Sequence, residues 1–294
     1  MEGKLLMRHD AQVSASLLLR WLTFTFTLGF GILAHGQDQP ADKYVTVTDI
    51  AYRSGAGMSE GMRERCKLDI YYPEHGTRVP AIVWFHGGGL TSGQKQVPPE
   101  LKSAGVIVIA PNYRLSPDVR APEYIEDAAA AVAWAFANVE RYGGSNQLIF
   151  VSGHSAGGYL TAMIGLDKRW LTTHQIDADV IAGLVPISGQ AITHFTVRAE
   201  RGIPELQPII DDLAPLYHIR KQSPPFLIIT GDRDRELLGR YEEAAYFWRM
   251  LKEAGHPHVE LLELEGFDHG GMLAPALPRL LAFVRDRAHH INSR

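Results

Sequence analysis

One serine of the chain lies in a sequence pattern that is typical of a nucleophile. Ser155 lies in the string GHSAGG at residues 153–158, between the apolar run Leu148–Val151 and the helix-like run Tyr159–Leu166. On a sharp turn from strand to helix, strained backbone angles hold a serine so that its hydroxyl is exposed. Glycines two positions to either side have no side chains that would collide in such a tight turn. The pattern G-x-S-x-G arises by chance in glycine-rich chains, so its placement between strand and helix carries the prediction that Ser155 is a nucleophile.

A glycine-rich loop upstream could supply hydrogen-bond donors. The tetrapeptide HGGG at residues 86–89 follows the apolar run Ala81–Phe85. Glycine N–H groups at the end of a central strand can point at a developing oxyanion, together with the N–H of the residue after the nucleophile, here Ala156. A flexible turn or a phosphate cradle are the alternatives, but a phosphate loop needs a lysine that residues 90–92 do not supply.

A serine hydroxyl needs a base, and the base needs a carboxylate that fixes its tautomer. Two later loops carry candidates: GDRD at residues 231–234 and GFDHGG at residues 266–271, each after an apolar run. Among the histidines of the chain, His269 is the best candidate for the base, because it follows a predicted strand, has the expected spacing from the serine and the acid, and is flanked by glycines. Asp232 and Asp234 compete for the role of the acid. The order Ser, Asp, His is that of α/β-hydrolases.

The elements that must position these residues alternate along the chain. Apolar or β-branched runs alternate with longer helical patterns, which predicts an α/β fold with a mostly parallel sheet and helices on both faces. The predicted strands are Tyr44–Ile50, Lys67–Tyr72, Ala81–Phe85, Val106–Ala110, Leu148–Val151, Ile181–Val185, Phe226–Thr230 and Val259–Leu264. The predicted helices beyond Tyr159–Leu166 are Ala121–Tyr142, Gly239–Ala254 and Ala276–His289. Residues 190–225 break this rhythm and predict an insertion near the C-terminal edge of the sheet, forming a partial cap.

Composition excludes several classes of protein. The chain has 294 residues, of which 46% are hydrophobic, and 29 Lys and Arg oppose 33 Asp and Glu. This balance argues against nucleic acid as a partner. Cys66 is the single cysteine, and no cluster of cysteines and histidines has the spacing of a zinc site.

The N-terminus has the layout of a secretory signal. Basic residues precede an uncharged run at 21–34, which is followed by Ala34-His35-Gly36. The run is shorter than the roughly 20 residues that span a bilayer, so we expect cleavage after Gly36, a secreted or periplasmic product, and no permanent membrane span, although an uncleaved anchor stays possible at this point. Residues 37–294 would then form a single α/β domain.

Six strings together resemble a known family. The chain resembles serine esterases of the hormone-sensitive-lipase-like branch of the α/β-hydrolases, and looks most similar to bacterial feruloyl and acetylxylan esterases and to kynurenine formamidase. The matching strings are HGGG at 86–89, NYRLSP at 112–117, PEYIED at 122–127, GHSAGG at 153–158, PPFLIITGDRD at 224–234 and FDHG at 267–270.

The resemblance implies roles for particular residues. It makes Ser155 the nucleophile, His269 the base and Asp234 the acid, because the family's acid usually lies three residues after the glycine that ends the strand. Asp232, next to that glycine, is expected to cap the turn. The oxyanion hole implied by the resemblance consists of the N–H groups of Gly88, Gly89 and Ala156, and Arg114 with Asp127 is expected to form a structural pair behind the site.

Two departures from lipase-like members favour the feruloyl esterase and formamidase side. This chain has His154 before the nucleophile and Leu90 after the glycines, where lipase-like members commonly have an acidic and an aromatic residue. The 49 residues between Gln37 and His86 leave little room for a long N-terminal cap, so we expect an open pocket.

These observations predict a secreted serine carboxylic-ester hydrolase that needs no metal or organic cofactor. Its substrate would be a small-molecule or polysaccharide-linked ester with a short acyl chain or a compact aryl acid. Two alternatives stay open: an amide hydrolase of the kynurenine formamidase type, whose substrate is normally intracellular, and a catalytically silent hydrolase fold used for binding.

Overall fold

The computed structural model describes residues 43–237 and 239–293. The predicted signal at residues 1–36 lies outside the described residues. The strands are β1 Tyr44–Ala51, β2 Lys67–Pro73, β3 Val79–Phe85, β4 Ile107–Pro111, β5 Gly144–His154, β6 Gly183–Ile187, β7 Phe226–Gly231 and β8 Val259–Leu264. The helices are α1 Glu60–Arg65, α2 Glu123–Asn138, α3 Ala156–Leu166, α4 Arg169–Thr172, α5 Phe195–Glu200, α6 Arg240–Glu253 and α7 Leu273–Asn292.

The eight strands form one mostly parallel sheet. Their order is β1-β2-β4-β3-β5-β6-β7-β8, in which β2 is antiparallel to both β1 and β4 while the strands from β4 to β8 are parallel. The continuous apolar runs of the sequence belong to the central strands, which are covered on both faces. The predicted fold class is confirmed: this is the α/β-hydrolase arrangement, with a short antiparallel edge.

Helices cover both faces of the sheet. Successive strand residues point to opposite faces. In β3, Ala81, Val83 and Phe85 pack into one core cluster with α2, α3 and α6, whereas Ile82 and Trp84 pack into a second cluster under α7. The carboxyl ends of the parallel strands therefore meet at one edge between these layers, where the loops after β3, β5, β7 and β8 lie.

Helix boundaries differ from the sequence prediction by a few residues. The predicted helix Ala121–Tyr142 consists of α2 followed by a 3₁₀ turn over Val139–Tyr142, and Gly143, with a φ of 78°, ends it. Helix α7 begins at Leu273 and runs through Pro278. The predicted insertion, residues 190–225, contains only α5 and a 3₁₀ turn at Pro215–His218.

The predicted pairing of Arg114 with Asp127 is present. Arg114 Nε lies 2.7 Å from Asp127 Oδ2, and Arg114 Nη2 lies 2.9 Å from Asp127 Oδ1. The Asp127 side chain is fully buried, so this bidentate contact fixes the loop after β4 against α2. Within the described residues, no helix is long and apolar enough to cross a membrane.

Candidate active site

Ser155 occupies a strained turn between β5 and α3. Its φ and ψ are 57° and −116°, which a non-glycine residue adopts only when its surroundings enforce them. Gly157 is part of that enforcement, because a Cβ there would lie 2.1 Å from the Phe85 carbonyl oxygen. A Cβ on Gly153 would lie 2.6 Å from the Gly157 carbonyl carbon. The two glycines therefore permit the close approach on which the turn depends.

The glycine-rich loop after β3 lies beside this turn. A Cβ on Gly87 would lie 3.4 Å from the Ser155 Cβ. The preceding His86 is buried, stacks on the Tyr113 ring at 4.4 Å, and accepts at its carbonyl oxygen a 2.8 Å hydrogen bond from the Tyr113 hydroxyl. These contacts anchor the loop against the core.

Three backbone N–H groups near the turn are available to a substrate. In the described part of the chain, no hydrogen bond uses the N–H group of Gly88, Gly89 or Ala156. Ala156 is the first residue of α3, where N–H groups have no partner within the helix. The Gly88 carbonyl oxygen accepts hydrogen bonds from the N–H groups of Thr91 and Ser92 at 3.1 and 3.0 Å, which holds the loop in a turn. The three N–H groups are therefore free of other partners among the described residues, and their role as oxyanion donors stays a prediction.

His269 follows β8 and bonds to a carboxylate that the sequence did not single out. Its Nδ1 lies 2.6 Å from Glu236 Oε1 and 2.9 Å from Ser188 Oγ. The Ser188 hydroxyl donates to the other oxygen, Glu236 Oε2, at 2.9 Å. Since a carboxylate only accepts hydrogen bonds, Nδ1 carries a proton, and in the neutral ring the lone pair is therefore on Nε2. His269 is thus in the tautomer that a general base requires.

The structure places Glu236, and not the predicted Asp234, against His269. Asp234 is exposed, and its N–H donates to the Asp232 carboxylate at 2.9 Å. Asp232 also accepts the Gly266 N–H at 2.6 Å, so it caps the turn as expected. This turn directs residues 233–235 outward, and the chain reaches the histidine again only at Glu236, whose side chain is 1% exposed.

Hydrogen bonds keep Glu236 ionised. Burial by itself would raise its pKa, but the bond from His269, the N–H of Leu237 and the hydroxyl of Ser188 lower that pKa to about 2. The Gly231 N–H adds a fourth bond, at 3.1 Å to Oε2. Glu236 is therefore a fixed negative charge beside the imidazole at any ordinary pH.

His154 ties the nucleophile turn to the histidine loop. Its Nε2 lies 2.9 Å from the His269 carbonyl oxygen, and the two rings are 4.7 Å apart. A carbonyl only accepts hydrogen bonds, so Nε2 of His154 donates. Burial lowers the pKa of His154 to about 4, with the neighbouring His269 adding to the effect, so the ring is neutral. None of the described hydrogen bonds joins Ser155 Oγ to His269; such bonds often tighten only when substrate binds.

The site is assembled from four neighbouring strands in chain order. Ser155 follows β5, Ser188 follows β6, Glu236 lies in the loop after β7, and His269 lies in the loop after β8. Sequence reasoning missed Ser188 and Glu236. Glu236 was detectable as a third carboxylate in its loop, since the acid of such sites can be Asp or Glu, but nothing in the sequence shows which of the three turns inward.

A cavity of about 640 Å³ lies next to the loop that carries Glu236, and Leu237 and Gly239 form part of its lining. Its lining includes Phe195, Arg198, Leu216, Arg240 and Tyr246, drawn from the insertion and from α6. Phe195 lies against the glycine loop, because a Cβ on Gly89 would lie 3.0 Å from its Cζ. No long N-terminal helix contributes to this wall: between residues 43 and 85 the only helix is α1.

Comparisons with known proteins give esterases repeatedly. The family model described as BD-FAE matches residues 68–184. Esterase LipC of Mycobacterium tuberculosis (strain ATCC 25618 / H37Rv) is 31% identical over 210 residues, which covers 65% of this chain and 51% of LipC. The probable carboxylic ester hydrolase LipM of the same strain is 28% identical over 215 residues, covering 65% of this chain and 49% of LipM. The chain thus spans about half the length of these curated relatives.

A solved structure agrees with the fold. The truncated form of a carbohydrate esterase from gut microbiota superposes with a TM-score of 0.69 at 19% identity, covering 85% of this chain and 98% of that one. At this level of identity the likeness shows a shared fold and nothing finer. The resemblance to esterases that the sequence motifs predicted is supported by the family model and the curated relatives.

Proposed function

We propose that this chain, which has the α/β-hydrolase fold and resembles the esterases of the hormone-sensitive-lipase-like branch, is a serine carboxylic-ester hydrolase with a Ser155–His269–Glu236 triad. The observation that carries the proposal is the Glu236–His269 pair, bonded at 2.6 Å beside the strained turn that presents Ser155. An ionised, buried carboxylate on Nδ1 leaves Nε2 able to accept the serine proton.

The reaction follows from these positions. Ser155 Oγ attacks the acyl carbon while His269 Nε2 takes its proton, and the carbonyl oxygen becomes an anion held by the N–H groups of Gly88, Gly89 and Ala156. Glu236 stabilises the imidazolium that forms. The imidazolium then protonates the leaving alcohol, which leaves an acyl-enzyme on Ser155. Water, deprotonated by His269, hydrolyses the acyl-enzyme and restores the serine.

Substrate class and location complete the proposal. We propose short acyl chains or compact aryl acids, because the described part of the chain has no N-terminal helical cap that could enclose a long chain. We also propose export with cleavage after Gly36, on the basis of the uncharged run and the small residues that follow it. N-terminal sequencing of protein recovered outside the cytoplasm should begin at Gln37; an intact Met1 on a cytosolic product would end that part of the proposal.

The central experiment compares wild type, Ser155→Ala and, as a matched control, the exposed Ser54→Ala. We expect a fluorophosphonate probe to add one adduct to wild type and to Ser54→Ala and none to Ser155→Ala, as read by intact mass. Turnover of p-nitrophenyl acetate should fall by at least about 10³-fold in Ser155→Ala alone, because the triad acts as a unit.

Two outcomes would reject the mechanism: full turnover in a folded Ser155→Ala protein, or a wild-type protein that neither reacts with the probe nor hydrolyses any acyl ester. The second outcome would favour a binding role for the fold. Hydrolysis of aryl formamides faster than the matching formate esters would favour the amide hydrolase.

A further inference from the structure

The cavity beside the site contains two buried positive charges. Arg198 of α5 and Arg240 of α6 both line it, and they are only 5% and 3% exposed. In the part of the chain that the structure describes, neither guanidinium forms an ion pair with a carboxylate. Buried charges are normally paired, because removing an ion from water without a partner is unfavourable. Neither guanidinium therefore has a carboxylate in direct contact with it.

The hydrogen bonds of the two arginines are incomplete. Arg198 Nη1 donates to the Gln207 carbonyl oxygen at 2.6 Å, but its buried Nε has no acceptor among the described residues. Arg240 Nη1 donates to the Ser188 carbonyl oxygen. A guanidinium has five N–H donors, so most of the donors of both side chains are not used by these bonds.

Carboxylates also lie near this charge, but none of those that the structure describes forms an ion pair with either guanidinium. Burial lowers the pKa of Arg240, and the carboxylates of Glu243 and Glu236 only partly oppose that effect. Both carboxylates are engaged elsewhere: Glu243 accepts the Ala191 N–H at 2.9 Å, and Glu236 is bonded to His269. Two further acids at the cavity, Glu205 and Glu242, are exposed, so water screens them.

A third basic group lies behind the arginines. His194 is completely buried, and its Nε2 has no partner in the described structure. Burial, followed by the positive charges of Arg240 and Arg198, holds the pKa of His194 well below its usual value. Both arginines therefore lie near the same buried histidine.

Two sets of contacts connect the wall of the cavity with the candidate site. Phe195 of its wall packs against Gly89, and the Thr196 hydroxyl donates to the Gly89 carbonyl oxygen. On the other side Arg240 bonds to Ser188, whose hydroxyl bonds to Glu236. The wall of the cavity is thus linked both to the glycine-rich loop and to the carboxylate that bonds to His269.

We propose that this cavity, the arginine pocket, binds a carboxylate of the substrate, so that the preferred esters carry a free carboxylate on either the acyl or the alcohol part. The inference rests on the proposed esterase function and deepens it. Guanidinium groups bind carboxylates with paired hydrogen bonds, and the pocket's volume of about 640 Å³ suits a small organic acid. Apolar residues such as Leu216 and Tyr246 would pack against the carbon skeleton.

The test uses two pairs of esters on the full protein. Phenyl hemisuccinate against phenyl butyrate places the charge on the acyl side, and 4-acetoxybenzoate against phenyl acetate places it on the alcohol side. We expect wild type to favour the charged member of one pair by at least tenfold in kcat/KM. In Arg198→Met that ratio should fall to near one, mainly through KM.

Arg249→Met is the matched control. Arg249 lies on the exposed face of α6, paired with Glu253, so its loss removes the same charge outside the pocket and should leave the ratio unchanged. A ratio near one in wild type for both pairs, or a preference that survives in folded Arg198→Met, would overturn the inference.

A binding measurement separates this inference from the proposed function. In calorimetric titrations of wild type, benzoate should bind at least tenfold more tightly than benzyl alcohol, whether or not any ester is hydrolysed. Equal or absent binding of benzoate would refute the arginine pocket even if Ser155-dependent turnover of phenyl acetate is normal. The same titration decides the matter if Arg198→Met does not fold.

Discussion

Replacing Glu236 by glutamine tests the proposed acid most directly. Each carboxylate oxygen faces a backbone N–H that cannot be turned around: Leu237 donates to Oε1 at 2.9 Å, and Gly231 donates to Oε2 at 3.1 Å. A glutamine NH₂ group must therefore oppose one of these N–H groups in either orientation. If it replaces Oε1, it also forces His269 Nδ1 to accept a hydrogen bond, which is the wrong tautomer for catalysis.

The magnitude follows from the same contacts. The pKa of Glu236 is lowered from 4.5 to about 2. At about 1.4 kcal/mol per unit, this corresponds to roughly 3 kcal/mol of favourable interaction with the ionised carboxylate. We expect Glu236→Gln to lose about that much stability at neutral pH, and about 10²- to 10⁴-fold in kcat, the upper value applying if the wrong tautomer forms.

The assay compares Glu236→Gln with Asp234→Asn and Asp232→Asn. Circular dichroism checks that each variant is folded, urea unfolding gives its free energy of unfolding, and phenyl acetate is the substrate for its activity. Asp234→Asn should stay within about threefold of wild type because its carboxylate is exposed, and Asp232→Asn should lose tenfold or less through its turn. A loss of several decades in Asp234→Asn, with Glu236→Gln close to wild type, would refute the assignment.

Three further predictions follow from the structure. The stabilisation by ionised Glu236 is complete above pH 4.5 and is lost as the pH falls to about 2. Over that interval the free energy of unfolding of wild type, measured in urea, should therefore fall by roughly 3 kcal/mol more than that of Glu236→Gln. Parallel plots of unfolding free energy against pH for the two proteins would contradict this. In thermal unfolding, Gly157→Ala should lose more than about 2 kcal/mol of stability, because its Cβ would lie 2.1 Å from the Phe85 carbonyl oxygen. The control, Gly61→Ala, should be neutral or slightly stabilising in the same assay, because its Cβ would meet nothing closer than 3.9 Å. In a panel of neutral p-nitrophenyl esters, kcat/KM should be highest between acetyl and butyryl, since longer chains would leave methylenes unburied and forgo about 0.8 kcal/mol each; a maximum at ten or more carbons would show that residues 190–225 form a full lid.

The elements that could be predicted from the sequence are those whose signal is local. Continuous apolar runs identify buried strands, and close backbone approach explains why only glycine fits at positions 153 and 157. The loop after β7 was the place where local reasoning failed. Asp232, Asp234 and Glu236 lie within five residues of one another, and the turn that Asp232 caps decides which of them points inward. That outcome depends on Gly266 and His269, which lie more than thirty residues further along the chain.

Ser188 and the arginine pocket could not be predicted for a similar reason. Ser188 has no motif of its own; it matters because β6 lies between the strands that carry the nucleophile and the acid. Arg198 and Arg240 come from α5 and α6, and sequence alone gives no sign that two arginines more than forty residues apart share one cavity.

The placement of the four site residues after four neighbouring strands has a consequence for biosynthesis. His269 follows β8 and is the last of the four residues to be synthesised. Glu236 and His154, which both contact it in the folded protein, precede it in the chain. Under the proposed mechanism, a nascent or truncated chain that ends before β8 holds the serine and the acid but has no base between them. Hydrolytic activity would therefore begin only when almost the whole polypeptide has been synthesised and folded, so incomplete chains would not attack cellular esters.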